Sequence, residues 1–458
     1  MGKTKERDQY KMRPIQLIGW SGRAVSLACN VIVLGYLTYF CTDFLNMDPV
    51  LVGTLMMASK LFDGVTDMIA GFIIDKTNTK LGKARPYEFS IIGVWLCTVL
   101  LYACPELGTT GKAIWIFVMY TLTNSIFATL LNGSESVYLS RAFKYESDRT
   151  KLVSYNGLLV TLFAMVLSII FPQLMAVLGT TRRGWIVIAL ITAIPLSLIG
   201  ILRFIFVKEV AIEGGEKAQT IGLKDFVAAL KGNKYIWILC GICFAINLQM
   251  GLISGVQTYY FQYVVGDIGA LSILSMMGMV GMLALLIMPK IADKISIRRL
   301  LIIAGFLAVI SYMIRVFAGA NMVLLAVSSL VSGIVGLPAS YYMVMLVIDI
   351  MDYNEWKNGV RVEGAYGSVQ GFANKMGAGI ASGMVGIIMG MTGYNGALEV
   401  QPAGAMNAIV GMYSWIPALV YVVAIVLLFK FDLDDKMPQI RKELDERRAK
   451  GDNYESSN

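Results

Sequence analysis

Apolar runs of about 20 residues recur along the chain, each closed by a short polar or charged stretch. An α-helix rising about 1.5 Å per residue needs a run of that length to cross a hydrocarbon layer of about 30 Å. The pattern predicts twelve helical spans, at 15–40, 49–75, 86–104, 112–139, 151–178, 184–207, 234–264, 269–290, 298–319, 321–349, 366–392 and 405–430. Backbone N–H and C=O groups in hydrocarbon must be bonded within the segment, which makes helix the expected state of all twelve. The longest polar connection, Lys208 to Lys234, falls midway, and its latter part reads as a short amphipathic surface helix. The expected architecture is an all-α membrane protein of two six-helix, pseudo-symmetric bundles. Its parts are an N-terminal bundle (1–207), a cytoplasmic central loop (208–233), a C-terminal bundle (234–430) and a charged, mostly solvated cytoplasmic tail (431–458).

Composition agrees with the pattern. Of 458 residues, 57% are hydrophobic and 15% charged, the mean hydropathy is +0.66, and an average soluble protein carries about 25% charged residues. The net charge of +8 is therefore a matter of loops and gives no sign of a nucleic-acid partner. Lysine and arginine fill the first tail, the 76–85, 141–151, central and 290–299 loops, and the last tail. The alternate loops hold only Lys112, Arg182 and Arg183. That asymmetry places both termini in the cytoplasm of a plasma-membrane protein. MGKTKERDQYKMR reads as a basic tail and lacks the layout of a cleavable signal.

Six cysteines lie mostly in apolar runs, and Cys240-Gly-Ile-Cys243 sits inside YIWILCGICFAI with no second pair, which favours packing over redox or metal chemistry. The chain has no histidine, no clustered metal ligands and no Gly-rich nucleotide loop. Neither an enzyme nor a cofactor is expected.

The stretch KLFDGVTDMIAGFIIDKTNTKLGKAR (60–85) breaks the apolar pattern. Lys60, Asp63, Asp67, Gly71 and Asp75 recur three or four residues apart and so share one helix face. Asp63 lies roughly 18 Å inside the end at Asp75, near the bilayer midplane. An ionised carboxylate there costs about 2.5–3.5 kcal/mol on insertion scales, and it requires a partner, a wet cavity or a bound cation. A cation site is one reading; a charge-compensated packing cluster between helices is the other. Lys375 is a second deep charge, roughly 15 Å inside span 11. It is expected to answer the carboxylates across a central cavity or to bond a solute oxygen. Asn247 and Gln257 on span 7 are polar amides that need partners in an apolar setting. Tyr259, Tyr260, Tyr263, Tyr341, Tyr342 and Tyr366 are candidates for stacking on a sugar face or for ordinary packing.

A weak internal repeat sets GFIIDKTNTKLGKAR beside PKIADKISIRR, and SRAFKYESDRTK beside DIMDYNEWKNGVRVEG, about half a chain apart. Acids and bases at cytoplasmic helix ends fit a gate whose charges pair in one state and part in another. Its candidates are Asp75, Lys76, Arg85, Arg149, Asp349, Asp352, Glu355, Arg361 and Glu363.

The pattern from Gly71 to Lys83 resembles the cytoplasmic-loop motif of the major facilitator superfamily, with extra residues inserted. Lys60-x-x-Asp63-x-x-x-Asp67 followed by DKTNTKLGKARP more closely resembles the glycoside–pentoside–hexuronide:cation symporters, the family of the melibiose permease. YLTYFCTD (36–43), YYFQYVVGD (259–267) and IDIMDYNEWKNGVRVEGAYGSVQGFANKMG (348–377) agree, so the resemblance spans the whole chain. It implies that fold and coupled uptake of a glycoside-like small solute. It also implies that Asp63 and Asp67 bind the cation beside Thr129, with Lys60 where the permease has an arginine, and that Lys375 and Gln370 serve the solute. Hard oxygen ligands suit Na+ or Li+, and a buried carboxylate suits H+; the residues leave the coupling ion open.

At the permease's solute positions this chain has Leu27, with Asn30 one turn on, then Asn132, Ser136 and Gly157, while Glu135 appears beside Asn132. Those departures speak against a galactoside. The expected protein is a cation-coupled symporter of a sugar, glycoside or uronide, working as a monomer in the bilayer. A carrier of a non-sugar organic solute or amphiphile, or an uncoupled facilitator, is the alternative.

Overall fold

The computed structural model describes residues 13–143, 146–209, 233–286, 291, 295–358 and 363–449. Among these, every expected span is helical. We label them α1 (Pro14–Phe44), α2 (Pro49–Lys76), α3 (Ser90–Tyr102), α4 (Thr109–Ala142), α5 (Glu146–Leu178), α6 (Arg182–Phe206), α7 (Lys234–Val265), α8 (Leu271–Met282), α9 (Ile297–Ala318), α10 (Met322–Asn358), α11 (Glu363–Met391) and α12 (Ala403–Phe429). A thirteenth helix, α13 (Met437–Ala449), follows. Eight of them are long and apolar enough to cross a membrane: α1, α4, α5, α6, α7, α9, α11 and α12.

Local chemistry fixes the ends. Asp48 caps α2 by accepting from the Leu51 N–H at 3.0 Å, and Pro49 fills the first helical turn, where its missing N–H costs nothing. Thr181 caps α6 through the Gly184 N–H at 3.1 Å. Three helices contain π-helical turns: Phe40–Phe44 in α1, Leu122–Ala128 in α4 and Tyr260–Val265 in α7.

The chain divides into two compact units. The first comprises residues 1–215 with 254–275 and 382–408, so the far ends of α7 and α11 belong with the N-terminal six helices. Within it α1 packs on α6 and α5, and α2 on α4. The α1–α6 approach depends on Gly22, where a Cβ would stand 2.3 Å from the Ile199 carbonyl oxygen. Trp20, Tyr138, Phe143, Leu152 and Val207 form a core at one end. The second unit comprises 216–253, 276–381 and 409–458, with α9 packed against α10 and α12.

Two expectations are corrected here. The described part of the tail is not left wholly to solvent: Met437, Ile440 and Leu444 of α13 are buried in one core with Tyr235, Leu346, Ile350 and Phe431, while its other face stays exposed. That apolar stripe recurs at three and four residues, the helical period. Span 10 also does not stop at 349, because α10 runs on to Asn358, where Tyr353 and Trp356 pack against the same core. Lys234 and Lys436 clamp Asp432 at 3.0 and 2.7 Å, and the Lys436 ammonium holds that carboxyl well below the usual carboxylate range. The expected surface helix in the central loop and the repeat at Asp293–Lys294 lie outside the described residues.

Candidate functional site

Helices α2 and α4 face one another through three rungs, each joining residues 62 apart in sequence. Thr121 donates to Ser59 at 3.0 Å, the Ser125 hydroxyl donates to the Asp63 carboxylate, and Thr129 reaches the Asp67 carboxylate at 3.1 Å. Both series step by four, so each presents one polar stripe to the other helix. The Leu122–Ala128 π-turn carries the middle of the stripe, and such turns recur at functional sites. It brings Asn124 alongside, whose side-chain oxygen lies 3.5 Å from the Lys60 ammonium and whose carbonyl lies 3.2 Å from the Thr129 hydroxyl.

Asp63 is 5% exposed, and the Lys60 ammonium stands 3.8 Å from it. Asp67 is exposed, so of the two carboxylates Asp63 alone is withdrawn from water. What results is one buried carboxylate bonded by the Ser125 hydroxyl beside the Lys60 ammonium, and one turn on a second, accessible carboxylate bonded by Thr129. Such oxygens suit a monovalent cation or a proton.

The other candidates scatter. Asn132 and Ser136, four apart on α4, are both exposed on one face. Glu135 does not belong with them: Arg203 grips it with two bonds of 2.7 and 3.1 Å, and Arg23 pairs with it as well. Asn30 is buried and donates to Thr98 at 2.8 Å. Asn247 donates to Asn374 at 2.8 Å, next to half-buried Lys375, while Gln370 bonds the Cys243 thiol. Gln257 is half-buried. Tyr259 and Tyr260 are buried, whereas the side chains of Tyr341, Tyr342 and Tyr366 lie outside the described residues.

Several candidates for the cytoplasmic gate have other work in this structure. Arg85 closes the end of α6, bonding the Phe204 carbonyl at 2.8 and 3.2 Å and lying over the Phe204 ring. Arg149 caps α4 through the carbonyls of Phe143 (2.7 Å) and Ser140 (3.0 Å). Lysine and arginine side chains near a helix C-terminus satisfy its last carbonyls in this way. Lys76 is exposed above the Phe72 ring. Asp349 is buried and bonds Arg441 of α13 at 2.5 Å, Asp352 lies 4.0 Å from the same guanidinium, and Glu355 is half-buried. Arg361 and the side chains of Asp75 and Glu363 lie outside the described residues.

Sequence reading missed the buried ion-pair cluster around Glu135. Arg23, Glu88 and Arg203 are each no more than 2% exposed and join α1, the Arg85–Phe89 turn and α6, with Glu135 of α4 as the fourth member. The Arg203 guanidinium also stacks 3.1 Å over Trp20. The signal was available: an arginine inside IGWSGRAVSLAC or LIGILRFIFV is as unusual as an aspartate inside α2.

A set of long apolar helices together with a buried, hydroxyl-bonded carboxylate well inside another helix is the pattern of a polytopic membrane protein with a functional polar site. Residues 20–435 match the model of the MFS/sugar transport proteins, and the chain belongs to that family. It is 30% identical to the isoprimeverose transporter of Lactiplantibacillus pentosus, over 94% of this chain and 93% of the relative. It is 23% identical to the glucuronide carrier protein homolog of Escherichia coli (strain K12), over 90% of this chain and 91% of the relative. In fold it is similar to the D-xylose–proton symporter (TM-score 0.59, 16% identity, 91% of this chain and 97% of that one). It is also similar in fold to the nucleoside transporter NupG (TM-score 0.63, 16% identity, 93% of this chain and 100% of that one). The fold is the major facilitator fold.

Proposed function

We propose that the protein is a symporter that takes a sugar, glycoside or uronide through the plasma membrane, coupled to Na+, Li+ or H+ at Asp63. The observation that carries this reading is the buried Asp63 carboxylate, set among the Ser125 hydroxyl, the Lys60 ammonium and the Asn124 amide. A cation that neutralises it lowers the cost of holding that carboxylate away from water, and this differential interaction is what a population shift between transport states needs. Isoprimeverose and glucuronide in the relatives' names support a glycoside-like solute. The neutral, exposed Asn132–Ser136 face of α4 is what we assign to it. The basic loops face the cytoplasm in this reading, with both termini on that side.

The test is uptake of radiolabelled isoprimeverose and of a glucuronide into vesicles under an imposed Na+, Li+ or H+ gradient. Asp63→Asn keeps size and hydrogen bonding and removes the charge. It should abolish accumulation against a gradient while downhill exchange persists. Accumulation equal to wild type would remove Asp63 from the coupling.

A further inference from the structure

The stretches 36–43 and 259–267 take no part in the cation site. They end α1 and α7 in π-helical turns, Phe40–Phe44 and Tyr260–Val265, and the unit that contains both brings them together at Asp43. Its carboxylate accepts from the Tyr263 hydroxyl at 2.5 Å, from the Tyr394 hydroxyl at 2.9 and 2.8 Å on its two oxygens, and from Thr42 at 2.6 Å. Thr42 in turn bonds the Tyr259 hydroxyl at 2.8 Å. The Tyr394 ring stands edge-on to Tyr259 and Tyr263, with centroids 5.3 and 5.8 Å away. No lysine or arginine pairs with Asp43 among the described residues; hydroxyls alone hold it.

Tyr394 is delivered by a loop with its own internal order. Gln401 accepts from the Asn395 N–H at 3.1 Å and donates to the carbonyls of Asn395 and Leu398 at 2.8 and 2.9 Å. The loop presses on the end of α1: a Cβ on Gly396 would lie 2.4 Å from the Thr42 carbonyl oxygen. Three segments far apart in sequence thus converge on one carboxylate, through side-chain bonds only. Parting them breaks no backbone pairing and returns an ionised carboxylate to water, where it is well solvated.

We propose that Asp43, gripped by Tyr263 and Tyr394, is the latch of the extracellular gate, closing the outer ends of α1, α7 and the loop after α11 in one stage of the cycle and freeing them in another. That the latch faces outward rests on the orientation proposed above. The contrasting possibility is a static pin that never opens.

Thr258 supplies the reporter. It is 1% exposed, one residue from Tyr259, and its hydroxyl has no hydrogen-bond partner, so Thr258→Cys removes no bond. Ser134, 0% exposed on α4, supplies the control as Ser134→Cys. Each goes into a full-length chain whose six native cysteines are replaced, in vesicles of both orientations, and is challenged with a membrane-impermeant maleimide. Asp43→Asn, and the milder Tyr394→Phe, which loses one hydroxyl, should each speed labelling at position 258 at least fivefold from the extracellular face, with position 134 unchanged. Equal rates with and without the latch residues would overturn the latch, as would an equal rise at position 134, which would mean general loosening. Acceleration only from the opposite face would uphold the latch and overturn the orientation.

Discussion

Ser125 illustrates what a single hydroxyl can do beside a buried carboxylate. It donates to Asp63 and also lies 3.4 Å from the Ser59 carbonyl, so it helps to fix the rotamer of the acid it serves. Ser125→Ala should raise the half-saturating concentration of the coupling ion about tenfold, equivalent to about 1.4 kcal/mol. Ion titrations of transport at fixed solute check this, and an unchanged midpoint would leave Ser125 as packing only. Arg203 acts in the opposite sense, holding the fold rather than the ion. Arg203→Ala leaves Arg23 as the one arginine for the two carboxylates Glu88 and Glu135, and breaking a buried pair in this way typically costs about 3–5 kcal/mol. Thermal unfolding of the purified variant should show that loss. Arg203→Lys should recover little of it, because an ammonium reproduces neither the two-pronged grip on Glu135 nor the stack on Trp20.

At the scale of elements, α13 is the clearest case of packing deciding what charge alone suggests. Its sequence is strongly charged, yet Met437, Ile440 and Leu444 anchor it under α10. Arg441 then takes Asp349, Glu443 accepts from the Trp356 indole at 2.6 Å, and Arg447 reaches the Trp356 carbonyl at 2.9 Å. The acids at the end of α10, expected to serve a gate, are therefore shared with the tail. Arg441→Ala should release α13 and speed its cleavage by a nonspecific protease about tenfold, in keeping with the roughly 1.5–3 kcal/mol of a hydrogen bond to a charged group. Acid should act on the same junction. The Asp432 carboxyl is held below its ordinary range, so its stabilisation is present above about pH 4 and is lost as pH falls from there toward the lowered folded-state value. Proteolysis of the tail should rise over that interval.

At the scale of the whole chain, the eight described helices that are long and apolar enough to cross a membrane give the orientation a direct check. Single cysteines at Lys80 and Lys357 should be reached by an impermeant reagent from the cytoplasmic face only, and one at Thr109 from the extracellular face only. Labelling of Thr109 from the cytoplasmic side would reverse the arrangement.

The sequence by itself determined the helices, because a hydrocarbon layer leaves the backbone no other partner and apolar length marks most of the spans. It also marked Asp63, since a mid-span acid is costly enough to stand out from its neighbours. Both readings rest on local composition. Whether a polar side chain lines a site or is spent on the fold depends on what stands opposite, and that lies in other helices. Glu135 and Asp67 were equally visible as acids, but Arg203 claims the first, and the second stays accessible beside Thr129. Ser125, 62 residues from Asp63, became its partner only when α2 and α4 packed in parallel register, and Asp43 found Tyr394 across 351 residues. Such pairings are set by how helices pack, through contacts that no local period encodes.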